Sequence, residues 1–155
     1  CVESALIGLP SVLRNAGLKY ICRTVPLRVA TDFAVAEEDI NPIGARVVGF
    51  DSVVAGTVSD IWVDRSEQLL RYLEVTTEVG DAPRQILVPI NFGVFRNTQQ
   101  RERIFYVHAL RGEQFALVPG LKDPDSVTFL EEEKVMAYFG SGLLYAAPNR
   151  QEPLA

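Results

Sequence analysis

The stretch Val54-Ala-Gly-Thr-Val-Ser-Asp-Ile-Trp-Val-Asp64, together with Leu69-Leu-Arg-Tyr-Leu-Glu-Val-Thr-Thr77 after a short polar turn, decides the fold. Both runs are rich in Val, Ile, Thr, Tyr and Trp, residues that suit a pleated and packed surface. In the second run Leu70, Tyr72 and Glu74 alternate with Arg71, Leu73 and Val75, the period of a strand with one apolar and one mixed face. Gly56 interrupts the first run, as a glycine at a bulge or tight bend does.

Outward from this pair, similar short runs follow at Ala45 to Phe50, Arg84 to Ile90 and Arg103 to Leu110. In the last of them Ile104, Tyr106 and His108 alternate with Phe105, Val107 and Ala109. Polar connections rich in turn formers, Gly80-Asp-Ala-Pro83 and Asn97 to Gln100, separate the runs. The spacing predicts a mainly β fold: a meander closing into a small β-barrel over residues 44–112, flanked by extensions at 1–43 and 113–155. In the second extension Thr128 and Glu131 have the spacing of a capping box, which predicts a short helix over about 129–139 with Gly140 as its cap. The first extension is irregular. Pro10, Pro26 and Pro42 punctuate it, Ser11 to Tyr20 has room for one brief helix, and Thr24 to Ala30 reads as extended. Residues 148–155 read as a tail.

With 155 residues and 48% hydrophobic composition, the chain can bury one sizeable core. The longest apolar stretch, Ala5 to Leu13, is broken by Pro10 and falls short of the roughly 20 residues that span a bilayer. No secretory signal is legible, and a first residue Cys1 in place of Met suggests a start that is missing or processed. Cys1 and Cys22 form no CxxC and read as reduced thiols, a lipid anchor on Cys1 being the alternative. The net charge is −5, but the first thirty residues hold four cations against the single carboxylate Glu3. The acidic body argues against nucleic acid, whose phosphates call for clustered Lys and Arg. The basic leader suits either anionic lipid headgroups or plain solvent.

Catalytic signatures are lacking. The one histidine, His108, alternates with Tyr106 and Ile104 and reads as structural; Gly140-Ser-Gly142 follows a helix and is too short for a nucleophile elbow. No phosphate-binding glycine loop, HExxH or calcium loop occurs, so a non-enzyme is expected, with no metal and no cofactor bound directly by the chain. Four carboxylates, Asp60, Asp64, Glu67 and Glu74, fall within fifteen residues, with Arg65 and Arg71 interleaved. Such a group either perturbs its members' protonation, bringing one toward neutral pH, or forms a salt-bridged turn of little consequence.

The run Val54 to Glu67 followed by Arg71-Tyr-Leu-Glu-Val75 resembles the PRC-barrel, in the version found in the H subunit of purple-bacterial photosynthetic reaction centres. The resemblance extends through Val25-Pro-Leu-Arg-Val-Ala30, Asn41-Pro-Ile-Gly44, Leu87-Val-Pro-Ile90, Phe115-Ala-Leu-Val-Pro119, Val127 to Tyr138 and Gly142 to Pro148. It implies an accessory subunit that binds no pigment and caps the L and M subunits on the cytoplasmic face of the photosynthetic inner membrane. Bacteriochlorophyll, bacteriopheophytin, quinones and non-haem iron would sit in those partner subunits, with light-harvesting complex and anionic lipids as further neighbours. By the same resemblance, Glu67 takes the place of a buried interface glutamate, Asp64 that of a carboxylate near the proton entry, and Arg71 that of the arginine beside them, all serving proton delivery to the secondary quinone. Asn15 to Thr24 departs from the pattern in having no histidine, so the resemblance does not carry over the family's metal-inhibition site or the histidine part of its proton relay. PRC-barrels also occur in ribosome-maturation factors, so a protein- or RNA-binding module is the alternative.

Overall fold

In the computed structural model, which describes residues 24–35, 41–99 and 102–150, the two deciding runs form strands β3 (Val54–Asp64) and β4 (Leu69–Thr77) of a long antiparallel hairpin. Strand β1 (Thr24–Pro26) lies against the far end of β3, pairing Thr24 with Asp64 and Pro26 with Trp62. Strand β2 (Arg46–Val48) pairs with the near end, and β5 (Gln85–Pro89) pairs with β4. Strands β6 (Gly93–Asn97) and β7 (Arg103–Val107) form a second hairpin. The expected readings for Cys1, Cys22, residues 11–20 and the tail from 151 lie outside the described residues.

The sheet keeps the sequential order of the expected meander: β6 pairs with β7, and β7 comes round to lie parallel to β2, Arg46 opposite Ile104 and Val48 opposite Tyr106, so the order is β5-β4-β3-β2-β7-β6. It differs in not closing: no ladder joins β5 to β6, which a 3-10 turn at Ile90–Phe92 separates. Strand β6 itself was not expected from the sequence; it is a short run, with Val94, Arg96 and Asn97 exposed, so it lacks the continuous apolar character that marks β3 and β4. The first extension also does more than flank the barrel, since β1 is part of the sheet.

Alternation along β4 does not sort buried from exposed as expected. Tyr72, Leu73, Glu74 and Val75 are all buried, because both faces of the strand are covered. Leu73 and Val75 face the apolar interior with Val47, Ile86 and Phe105, whereas Glu74 lies under Arg28 and Tyr72 lies against Glu132 of the helix. Burial and that neighbouring carboxylate push the Tyr72 hydroxyl well above the usual tyrosine range.

Helix α1 (Phe129–Tyr145) begins at the expected capping box. The Thr128 hydroxyl accepts from the Glu131 amide at 3.3 Å, and Glu131 Oε2 accepts from the Thr128 amide at 2.9 Å and its hydroxyl at 2.6 Å. The helix does not stop at Gly140. It runs to Tyr145 because Gly142 is the residue that meets the sheet, where a Cβ would lie 2.6 Å from the Ala109 carbonyl oxygen. Its end is held by Arg150, whose guanidinium lies 3.9 Å over the Phe50 ring and donates to the carbonyls of Gly142, Ala109 and His108 at 3.1, 3.3 and 2.8 Å. Phe139 joins helix to barrel, 5.8 Å from Phe92 and 6.0 Å from Phe115 between ring centres.

Two predictions follow from this packing. A Cβ on Gly56 would lie 2.2 Å from the Thr76 carbonyl oxygen on the neighbouring strand; Gly56→Ala is expected to lower stability by about 1–3 kcal/mol in urea denaturation, the cost of forcing atoms into a filled space. Glu131 is a pH-sensitive cap. Burial alone would raise its pKa, but bonds from the Thr128 hydroxyl and amide and the Lys122 amide outweigh this and hold it below its usual value of 4.5. A depressed folded-state pKa stabilises the fold above the unfolded value and loses that contribution as pH falls through the folded one. Denaturation midpoints of Glu131→Gln should therefore fall below wild type above about pH 4.5 and converge with it in more acid solution.

Candidate functional site

The four carboxylates of the hairpin do not form one cluster. Asp60 and Asp64 are four residues apart on an extended strand, which separates them by about 13 Å, beyond the reach of a shared guanidinium. Two separate groups result, and a third ion pair stands apart, Arg65 to Asp32 at 3.0 Å, which holds the Asp32 carboxyl below its usual range.

The first group is centred on Arg28, which was not singled out from the sequence. Arg28 Nη1 lies 2.8 Å from Asp60 Oδ2 and 2.9 Å from Glu74 Oε2, and its Nε lies 3.0 Å from Asp125 Oδ1. Its Nη2 donates to the Pro124 carbonyl. Burial would lower the Arg28 pKa, but the bonds to Glu74, Asp125 and Asp60 prevail and raise it. Pairing across β3 and β4 sets Asp60 opposite Glu74. Two like charges at that spacing repel, and the arginine between them turns repulsion into a bridge. Glu74 Oε2 also accepts from the Trp62 indole at 2.8 Å, and Oε1 accepts from the Ser59 hydroxyl at 3.2 Å. The clue in the sequence was the Val25-Pro-Leu-Arg28 segment, whose Pro26 ends β1 and turns the chain back so that Arg28 crosses the hairpin.

The second group holds the expected residues, at the hairpin tip. Arg71 Nη2 lies 3.1 Å from Asp64 Oδ2 and 2.8 Å from Glu67 Oε2. Asp64 Oδ1 accepts from the amides of Ser66 at 2.9 Å and Glu67 at 3.3 Å, an Asx-type turn that fixes the tip. Gln68 completes it at φ +54°, in the left-handed region. Asp64, Glu67 and Arg71 therefore do come together. In the chain by itself the Asp64 side chain is 1% exposed, and that of Glu67 is 45% exposed. Asp64 is enclosed because it ends β3 between β1 and β4, opposite Thr24 and Leu69, whereas Glu67 stands on the turn itself.

His108 lies just beyond β7, edge-on to Tyr106 at 5.2 Å between ring centres, with its amide donating to the Phe92 carbonyl at 2.9 Å. Among the described residues no group of three or more His, Cys, Asp or Glu is placed to hold a metal ion. No helix among them is long and apolar enough to cross a membrane.

A barrel-like sheet of this order, with its signature hairpin and charged tip, defines the class. The family model of the PRC-barrel domain matches residues 36–114, and the chain belongs to the PRC-barrel family.

Arg28 gives the site a direct test. Its removal leaves Asp60 and Glu74 facing each other in a buried setting with no cation. Arg28→Ala is expected to cost about 3 kcal/mol in urea denaturation, as when one partner of a buried ion pair is removed, and adding Glu74→Gln should recover part of the loss.

Proposed function

We propose that this chain is the cytoplasm-facing, non-catalytic part of a photosynthetic reaction-centre H subunit. It caps the L and M subunits, stabilises the quinone sites and assists proton delivery to the secondary quinone. The observation that carries the reading is the hairpin tip: Arg71 links a carboxylate enclosed by the sheet, Asp64, to one that faces outward, Glu67. On this reading the two carboxylates carry the proton between surface and interior, while Arg71 keeps its own proton and holds them together, which offsets the cost of an isolated charge in a dry interface.

The resemblance of the sequence around Val54 to Val75 to the reaction-centre version of the barrel supplies the partner. Glu67 would become buried on docking, since nothing in the chain itself covers more than about half of its side chain. Leu69 is 54% exposed beside the tip and offers apolar area for the same contact.

The test is reconstitution. The protein should co-elute with the bacteriochlorophyll absorbance of a detergent-solubilised L and M core stripped of its own H subunit; elution apart from a core that still binds an intact H subunit overturns the reading. In the reconstituted complex Glu67→Gln removes a charge while keeping volume. It should slow the second, proton-coupled reduction of the secondary quinone after paired flashes by about a hundredfold, the lower end of what one positioned proton-transfer group contributes over its surroundings. Assembly should be unchanged.

A further inference from the structure

The main order of the open sheet ends on β5 and on β6, with the three-residue β1 a further edge beside β3, and the two ends are not alike. Along β5 every residue from Ile86 to Pro89 is buried, Pro89 has no amide to offer, and α1 packs beside the strand. Strand β6 is bare: Val94 is 42% exposed, and Arg96 and Asn97 are exposed as well.

The hydrogen-bond register says which backbone groups β6 presents. The Thr98 amide donates to Glu102 at 2.8 Å and the His108 amide to Phe92 at 2.9 Å. In an antiparallel pair the bonded positions alternate, so Val94 and Arg96 turn their amides and carbonyls toward β7 while Gly93, Phe95 and Asn97 turn theirs away. The Gly93 amide is taken by the Ile90 carbonyl. The amides and carbonyls of Phe95 and Asn97 have no protein partner among the described residues, and they lie at the spacing of a ladder.

The side chains beside that edge are basic. Pairing of β2, β7 and β6 sets Arg46, Ile104 and Arg96 in one row on the same face, and Val48, Tyr106 and Val94 in the next. The Arg96 guanidinium carbon lies over the Tyr106 ring, 4.3 Å from its centre, a contact that favours one position for the cation. Neither Arg46 nor Arg96 has a carboxylate partner among the described residues, in a chain of net charge −5 in which Arg28 and Arg71 are each bonded to two or more carboxylates.

We propose that the free edge of β6 is a docking site for an extended, acidic segment of a partner protein. The segment adds a strand beyond Phe95 and Asn97, about 4.8 Å from β6. It places a carboxylate opposite Arg96 and an apolar side chain opposite Val94, and Arg46 adds to the attraction from farther off. Strand addition accounts for both halves of the observation: backbone groups arrayed for a ladder, which a lipid headgroup or a free anion does not supply, and a positioned guanidinium, which selects against basic strands and against a second copy of β6 itself. The proposal is independent of the hairpin tip and of the reaction-centre reading.

A short peptide of alternating Glu and Val, capped at both ends, is the probe, with a Lys and Val peptide and an alternately N-methylated Glu and Val peptide beside it. Fluorescence anisotropy should show the acidic peptide binding at least about tenfold more tightly than the other two at low salt, and Arg96→Glu and Arg46→Glu should each erase the preference for acid. Bound peptide should slow hydrogen exchange of the Phe95 and Asn97 amides in the wild-type protein. The proposal is overturned if N-methylation leaves binding unchanged, if protection appears elsewhere, or if no peptide binds. It is also overturned if phosphatidylserine vesicles bind through Arg46 and Arg96 while the acidic peptide does not.

Discussion

Two buried acids set opposite each other on neighbouring strands would split a sheet apart, and Arg28 prevents this. Asp60 and Glu74 face one another across β3 and β4, and one guanidinium bonds both while the Trp62 indole binds Glu74 from another side. The same arginine reaches Asp125 and the Pro124 carbonyl in the loop that leads to α1. Three segments far apart in sequence thus meet at one cation: the turn after β1, the central hairpin and the approach to the helix. A buried ionic centre of this kind adds little net stability over a well-packed apolar one, but it admits few arrangements, so it specifies how the segments meet.

The hairpin tip is built differently. Its turn is fixed by Asp64 accepting two backbone amides, and Gln68 takes a left-handed conformation to complete it. Of the ion pairs there, Arg71 to Asp64 has one exposed partner and Arg71 to Glu67 has two, and they are worth less than those of the inner group. The sequence thus places side by side two differently built groups: an inner one that ties three segments together, and one at the hairpin tip whose Arg71 and Glu67 reach the surface.

Much of this was legible in the sequence. The strands of the central hairpin, the Gly56 close approach and the Thr128 to Glu131 cap rest on local rules, and they lie where those rules put them. What escaped was set by tertiary contact. Glu74 reads as a solvent-facing position until Arg28 is brought over it from 46 residues away. Gly140 reads as a helix stop, but the helix continues because Gly142 fits against Ala109 and Arg150 returns to hold the last turn. Strand β6, with Gly93 and polar Arg96 and Asn97, shows no periodicity of its own and is defined by its pairing with β7. Asp64 and Glu67 were legible as a pair, but not which of them would be enclosed, because that depends on β1 closing over the end of β3.

The parallel contact between β2 and β7 has a consequence for how the chain comes to be folded. Residues 46–48 find their neighbours at 104–106, so the ladder closes a loop of more than fifty residues. Local pairs such as β3 with β4 form first, because joining distant segments exacts more chain entropy before any contact repays it. During synthesis, β2 and the hairpin emerge well before β7 exists, and in that interval one side of β2 is an open edge. A ribosome-bound fragment ending before Arg103 would thus carry a half-built sheet, and it is the arrival of β7, not the completion of the central hairpin, that commits the domain to its final form.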